Sequence, residues 1–332
     1  MKNLLLCGSL LFLGMTSVQA QVNKVPMIEH FTQASCGPCA SQNPAMQATL
    51  AAYTGDYVKI SHQVSWPGTD PMYNSFSAGP DARVAYYNVS GVPNTSLNGG
   101  ATGAPNTIVT AATLATAAAV QTPYQITATQ SWADPNTVTV NIDVENVTGA
   151  AISSGDKIYV TMVEEVVTYN TAPGSNGETD FYNVMRQMYD ASTGAADATG
   201  GAALGSIAAN STQNFNFTIT SLPSYIADKG QVTFAIYVQN DASKEIMQAG
   251  KTSVVSIPGL INVAAATAST AGSGYCDYSY TPAIEFTNND ATAVTEVVAE
   301  YSINGGTAVQ ETYTGSLAQG QSATITWPGA TL

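Results

Sequence analysis

The sequence predicts a mixed α/β domain followed by antiparallel, β-rich domains. Three observations carry that expectation. Strand-like and helix-like segments alternate up to about residue 120, strict two-residue alternation takes over beyond Pro123, and Cys36-Gly37-Pro38-Cys39 stands where the first buried strand gives way to the first helix.

Val25-Pro26-Met27-Ile28 reads as a short buried strand. Ala40 to Tyr53 follows the cysteines and carries Met46, Leu50 and Tyr53 as the apolar side of a helix. A thiol in the first turn of a helix faces unpaired backbone N–H groups and the positive end of the helix dipole. Both favour thiolate, the form that attacks disulfides, and two cysteines separated by two residues can close a small ring reversibly. Tyr57 to Val64 alternates and is the next expected strand. Asp81 to Tyr87 is a short helix, Thr95 to Leu97 a short strand, and Asn98-Gly99-Gly100 a hairpin-type turn. Pro105 leads into an Ala- and Leu-rich helix expected over Asn106 to Val120, which completes a first domain over 21–120.

Tyr124 to Thr129 and Val138 to Val144 alternate strictly around the polar turn Asp134-Pro135-Asn136. Further strands are expected at Ile158 to Val167, Asn214 to Ile219, Val232 to Val238 and Ser253 to Ile257. Alternation with Asn, Asp, Gly and Pro turns describes an antiparallel β-sandwich over 121–260. Tyr169 to Leu204 reads as a long loop within it, and Phe181 to Met188 is able to add a strand there. Ala264 to Gly274 is small and polar, like a linker. Strands at Ala283 to Phe286, Glu296 to Ile303, Thr307 to Tyr313 and Ser322 to Trp327 then give an immunoglobulin-like β domain over 264–332. They are too few for a seven-stranded sandwich, so the sequence reads as a domain cut short.

Residues 1–20 read as a secretory signal peptide. Lys2 precedes the apolar block Leu4 to Met15, and Val18-Gln19-Ala20 offers a cleavage site. Cys7 falls inside that block, after Leu6 where a lipoprotein signal needs a small residue, and is discarded with the peptide. Cys36, Cys39 and Cys276 remain, an odd number that leaves one thiol free or paired elsewhere. No later segment offers about 18 uninterrupted apolar residues, so no transmembrane span is expected. The formal net charge is −14 and no Lys/Arg cluster occurs, which disfavours nucleic-acid binding and docking on anionic lipid. Gly-x-Ser-x-Gly, phosphate-loop and His-Glu-x-x-His signatures are missing. Glu164-Glu165 sits on an expected strand, so the two carboxylates point to opposite faces and cannot act as a pair.

Phe31 to Pro44, with its Cys36-Gly37-Pro38-Cys39 and a proline five residues after the second cysteine, resembles the active-site segment of the thioredoxin superfamily. Gly91-Val92-Pro93, directly before a short strand, resembles that superfamily's cis-proline loop. The likeness covers about residues 24–120. Ile28 to Thr32, His62 to Tyr73, Tyr86 to Pro93 and Met162 to Glu165 are similar to segments of a narrower group, the outer membrane protein 28-related proteins of gram-negative bacteria. The resemblance implies an exported protein of the periplasm, outer membrane or extracellular space.

It also implies roles. Cys36 is the attacking thiolate and Cys39 the resolving thiol, the two forming a reversible disulfide. Pro93 shields the pair, and Val92 offers its backbone to a substrate chain beside Gly37 and Pro38. Three departures stand out. Ser35 replaces the usual tryptophan. His30 occupies the place of a buried, proton-carrying aspartate, either taking over that work or serving as a hydrogen-bonded core histidine. The insert Ser65 to Ala78 brings Trp66 to wall a substrate groove or simply to pack, with Asp70 as a turn-forming carboxylate. No cofactor is implied. A zinc set of Cys36, Cys39, His30 and His62 is disfavoured by the Gly-Pro filling and the lack of a second Cys-x-x-Cys. Two functions remain open. One is an exported thiol-disulfide oxidoreductase acting on protein thiols and disulfides. The other is a non-enzymatic surface or outer-membrane-associated binding protein with a permanent Cys36–Cys39 disulfide.

Overall fold

The computed structural model describes residues 21–153, 155–199, 201–258, 263–271, 279–288, 292–301, 307, 309–327 and 330–331. The expected signal peptide, Cys7 and Cys276 lie outside the described residues. The chain is β-rich with few helices and divides into two compact units. One comprises 21–131 with Thr139–Val254, the other Trp132–Val138 with the described residues from Val255 onward.

The first unit carries β1 (Val22–Asn23), β2 (Met27–Thr32), α1 (Gly37–Ala52), β3 (Val58–Gln63), α2 (Pro71–Ser75), α3 (Ala78–Tyr87), β4 (Asn94–Leu97), α4 (Pro105–Ile108) and α5 (Ala111–Ala118). It continues through β5 (Gln121–Thr122), β6 (Tyr124–Asp134), β7 (Thr137–Asn146), β8 (Lys157–Thr168), β9 (Asp180–Tyr189), β10 (Ala202–Ala203), β11 (Ser211–Ile219), β12 (Val232–Gln239) and β13 (Ile246–Lys251). The tip of the β6–β7 hairpin belongs to the second unit.

One eight-stranded sheet runs β13-β12-β8-β9-β3-β2-β4, with β10 added on β8. β2 and β3 are parallel, β4 is antiparallel to β2, and β9 lies parallel to β3 through Ser61 and Val184. Residues 21–120 and 121–260, expected as two domains, therefore share one sheet. Strand β3 would otherwise present an open edge. Strand β9 covers it, and the Ser61 hydroxyl donates to the Tyr182 carbonyl at 2.7 Å. Ala34, Met72, Val167, Phe181 and Val184 pack into one core at that seam.

A three-stranded sheet, β11-β7-β6, stacks on the β13-β12-β8-β9 half in a sandwich-like layer. Tyr189 stacks on Phe217 with centroids 6.2 Å apart, and the Gln248 amide donates to the Tyr124 carbonyl at 3.0 Å.

Several expectations are corrected. The helix over Asn106 to Val120 is broken into α4 and α5, because Thr110 caps α5. The Thr113 N–H donates to Thr110 Oγ1 at 3.1 Å, and the Thr110 N–H to Thr113 Oγ1 at 2.9 Å. Within the expected Tyr169 to Leu204 loop, the strand foreseen over Phe181 to Met188 is present as β9. Ser253 to Ile257 is not a strand; the edge strand is β13 instead, where Gly250 sits so close to Ile126 that a Cβ would collide. The insert Ser65 to Ala78 folds as α2 and the start of α3.

The second unit holds β14 (Val263–Ala271), β15 (Ser279–Asn288), β16 (Val294–Tyr301), β17 (Val309–Leu317), β18 (Ser322–Thr326) and β19 (Ala330–Thr331). The expected linker from Ala264 is thus in strand as far as Ala271, antiparallel to β15. The sheet β14-β15-β18, with β19 on β15, and the pair β16-β17 enclose Phe286, Val294, Leu317, Ile325 and Trp327.

Candidate functional site

Cys36 is the N-cap of α1, in extended backbone, and its Sγ accepts the Cys39 backbone N–H at 3.1 Å. Pro38 falls in the first turn, where a missing N–H costs nothing. Cys36 and Cys39 form a disulfide. Gly37 and Pro38 face solvent, but Cys36 is only 1% exposed and Cys39 is fully buried. The two residues between the cysteines are thus exposed and the cysteines are not.

Three segments converge on residues 33–36. The first is Asp70, which caps α2 by accepting the Met72 and Tyr73 N–H groups at 2.8 and 3.1 Å. Its other oxygen accepts the Ala34 N–H at 2.8 Å. Burial pushes the Asp70 carboxyl above the usual range, and these N–H groups oppose the shift.

The second segment comes from the β8–β9 connection. The Asn176 amide donates to the carbonyls of Gln33 and Cys36, each at 3.2 Å, and the Ser175 N–H to Ser35 Oγ at 3.1 Å. Gly174 passes so close to the Ala34 carbonyl that any Cβ would collide. The third segment is the loop before β4. The Val92–Pro93 peptide is cis, and the Val92 carbonyl oxygen lies 3.6 Å from Cys36 Sγ. The Trp66–Pro67 peptide is cis as well. Trp66 is half-buried against the cluster of Phe31, Val64, Tyr87 and Val89, on which Val92 also packs.

His30 lies on the α1 side of the sheet. Its Nδ1 is 2.9 Å from Thr95 Oγ1 and its Nε2 3.0 Å from Asn43 Oδ1. Burial and then the Lys59 charge hold its pKa down to about 3, so the ring is neutral at physiological pH. The hydrogen-bonded core histidine is the arrangement found. Asn43 extends the network, donating to Thr32 Oγ1 at 3.0 Å and to Glu178 Oε1 at 2.9 Å.

Glu29 points to the opposite face. Its carboxylate accepts from Arg83 Nε and Nη2 at 2.8 and 2.7 Å and from the Tyr87 hydroxyl at 2.6 Å. His62 stands on that same face, stacked on Phe31, with Nε2 3.3 Å from Glu29 Oε1. The register pairs His30 with Ser61 and Phe31 with His62, so the two histidines occupy opposite faces and do not converge with the cysteines. Among the described residues no group of His, Cys, Asp and Glu is arranged to hold a metal.

Lys59, Gln63, Asn43, Asn176 and Glu178 escaped the sequence reading. Lys59, Ser61 and Gln63 alternate along β3, which was the available signal. Asn176 and Glu178 had none, because they reach the dithiol segment from well over a hundred residues away.

No family model matches the chain, and no curated protein matches it. Among solved structures, HBP35 of Porphyromonas gingivalis is similar over 92% of this chain and 98% of its own, at 14% identity and a TM-score of 0.55. That likeness is one of fold. Spo0M, a sporulation control protein from Bacillus subtilis, matches over 58% of this chain and 90% of its own at 12% identity. Its TM-score of 0.29 supports no argument.

Proposed function

We propose that the chain is an exported dithiol–disulfide exchange protein. Residues 21–120 take the part of a thioredoxin-like domain, and the β-sandwich and immunoglobulin-like segments act as spacer or docking modules. The observation that carries the reading is Cys36 at the α1 N-cap, its sulfur accepting the Cys39 N–H. That N–H and the helix dipole stabilise a thiolate there once the pair is reduced.

In the reduced protein the Cys36 thiolate attacks one sulfur of a substrate disulfide. The substrate S–S bond breaks, the electron pair leaves on the second substrate sulfur, and that sulfur takes up a proton. Cys39, losing its proton to solvent, then attacks Cys36 Sγ and releases the other substrate thiolate. The substrate gains two electrons and the chain ends with its Cys36–Cys39 disulfide, which an external dithiol must reduce again. Val92 and Pro93, beside the sulfur, are where the substrate chain lies in this reading.

One observation favours the alternative of a non-enzymatic surface protein with a structural disulfide: Cys36 is 1% exposed. Exchange then requires the Val92 loop or the Asn176 segment to move. Reduction of insulin by the full chain with dithiothreitol separates the two. A rate well above that of Cys36→Ser supports exchange, and equal rates leave the disulfide structural.

A further inference from the structure

Beneath α1 the sheet is apolar at Ile28, which packs on Met46 and Leu50, but polar beside it. Lys59, Ser61 and Gln63 alternate on one face of β3, beside His30 and Thr32 on β2. A helix-covered sheet face ordinarily carries aliphatic side chains, because a buried polar group without a partner is destabilising. These five polar residues line a cavity of about 430 Å³ that also takes in Pro44, Met46, Ala48 and Ala51 of α1 and residues 177–182 of the β8–β9 connection.

Two groups in it are left wanting. Gln63 is 2% exposed, and neither its amide oxygen nor its amide nitrogen has a hydrogen-bond partner. Lys59 is 6% exposed, and among the described residues its ammonium has the Gln47 side-chain oxygen at 3.4 Å and the Tyr182 carbonyl at 3.3 Å. Both contacts are longer than a good hydrogen bond. Burial holds the Lys59 pKa down to about 8, so it still carries its charge at neutral pH. The other ionisable groups lining the space are Glu178, Asp180, Tyr182 and the neutral His30, and Glu165 acts on Lys59 from outside it.

We propose that this cavity binds a small organic monocarboxylate with an apolar body, its carboxylate held by Lys59 Nζ and the Gln63 amide. Met46, Phe181 and the Tyr182 ring, whose centroid is 6.0 Å from Lys59 Nζ, offer the carbon surface for the body. Glu178 and Asp180, which also line the cavity, repel a second negative charge and exclude polyphosphates. The site makes no use of the dithiol and is independent of its redox reading.

The test is calorimetric titration of the full chain with phenylacetate, 3-phenylpropanoate, 4-phenylbutanoate and octanoate, each beside its neutral amide. Saturable binding of an acid is expected, with the amide at least about tenfold weaker, the worth of one charge-assisted hydrogen bond. Lys59→Met and Gln63→Leu should each weaken the acid by a similar factor. Ala48→Trp, on the exposed side of α1, fills the cavity without touching its floor and should abolish binding even if the floor variants fail to fold. No binding of any acid up to about 10 mM, equal binding of acid and amide, or unchanged binding by Ala48→Trp would overturn the proposal.

Discussion

Replacing Glu29 by glutamine removes one charge from a buried cluster while keeping its volume. The carboxylate accepts from Arg83 twice, at 2.8 and 2.7 Å, and from Tyr87 at 2.6 Å. Arg83 itself is 2% exposed, and beyond the carboxylate it donates to the Gln239 amide oxygen at 3.0 Å and to the Tyr87 hydroxyl oxygen at 3.3 Å. The substitution strands a guanidinium in the interior. Breaking a buried pair in this way costs about 3–5 kcal/mol.

The lowered pKa of Glu29 points to a cost of the same order. Burial works to raise its pKa, but Arg83 and His62 win and hold it at about 2, against 4.5 when free. At about 1.4 kcal/mol per pKa unit the gap corresponds to about 3 kcal/mol. Arg83 is raised by the same contact, so the two shifts are not added. Because the folded pKa is the lower one, this stability is present in full above pH 4.5 and is lost as pH falls through about 2.

Native-state hydrogen exchange, read on peptides covering β2 and β3, reports the first unit without requiring the whole chain to unfold in one step. Glu29→Gln should lower the opening free energy there by about 3–5 kcal/mol at pH 7. It should also flatten the loss seen in the native chain between pH 4.5 and 2. A drop below about 1 kcal/mol, the scale of an exposed ion pair, or an unchanged acid slope would refute the reasoning.

Three other substitutions have expected outcomes. Lys59→Met should raise the thermal midpoint at pH 7, because the ammonium is held at a cost. The native chain recovers that stability as pH rises from about 8 to 10.5, so the difference should shrink over that window in a scanning-calorimetry series. Asp70→Ala removes the α2 cap and leaves the buried Ala34 N–H without its acceptor, for about 2–4 kcal/mol by the same exchange measurement on residues 31–36. Asn176→Ala releases the β8–β9 connection from the Gln33 and Cys36 carbonyls. It should speed dithiothreitol reduction of the Cys36–Cys39 disulfide several-fold, followed by thiol alkylation; an unchanged rate would mean that segment does not guard the sulfurs.

Local chemistry was legible in the sequence where it depends on neighbours in the chain. The Cys36 cap, the Asp70 turn and the strands around β3 follow from spacing and residue type. The Thr110–Thr113 box that splits α4 from α5 is readable in the same way, but a run so rich in alanine masks it. Long-range placement was not legible. Strand β9 carries Asn183 and Arg186 among its apolar residues and joins β3 through a single paired position, a junction that no local pattern announces. Period-two alternation identifies β3 but leaves open which face α1 covers, so the burial of Lys59 and Gln63 is not legible from it. Gly250 lowered the strand character of β13, yet its lack of a side chain is what lets that edge meet Ile126.

Equilibrating the full chain with glutathione buffers of graded ratio, and alkylating the thiols at each point, measures the reduction potential of the Cys36–Cys39 pair. With a thiolate stabilised at the α1 cap, exchange predicts a value above about −300 mV. A value well below that would mark a bond the glutathione pool cannot open and would contradict the dithiol account.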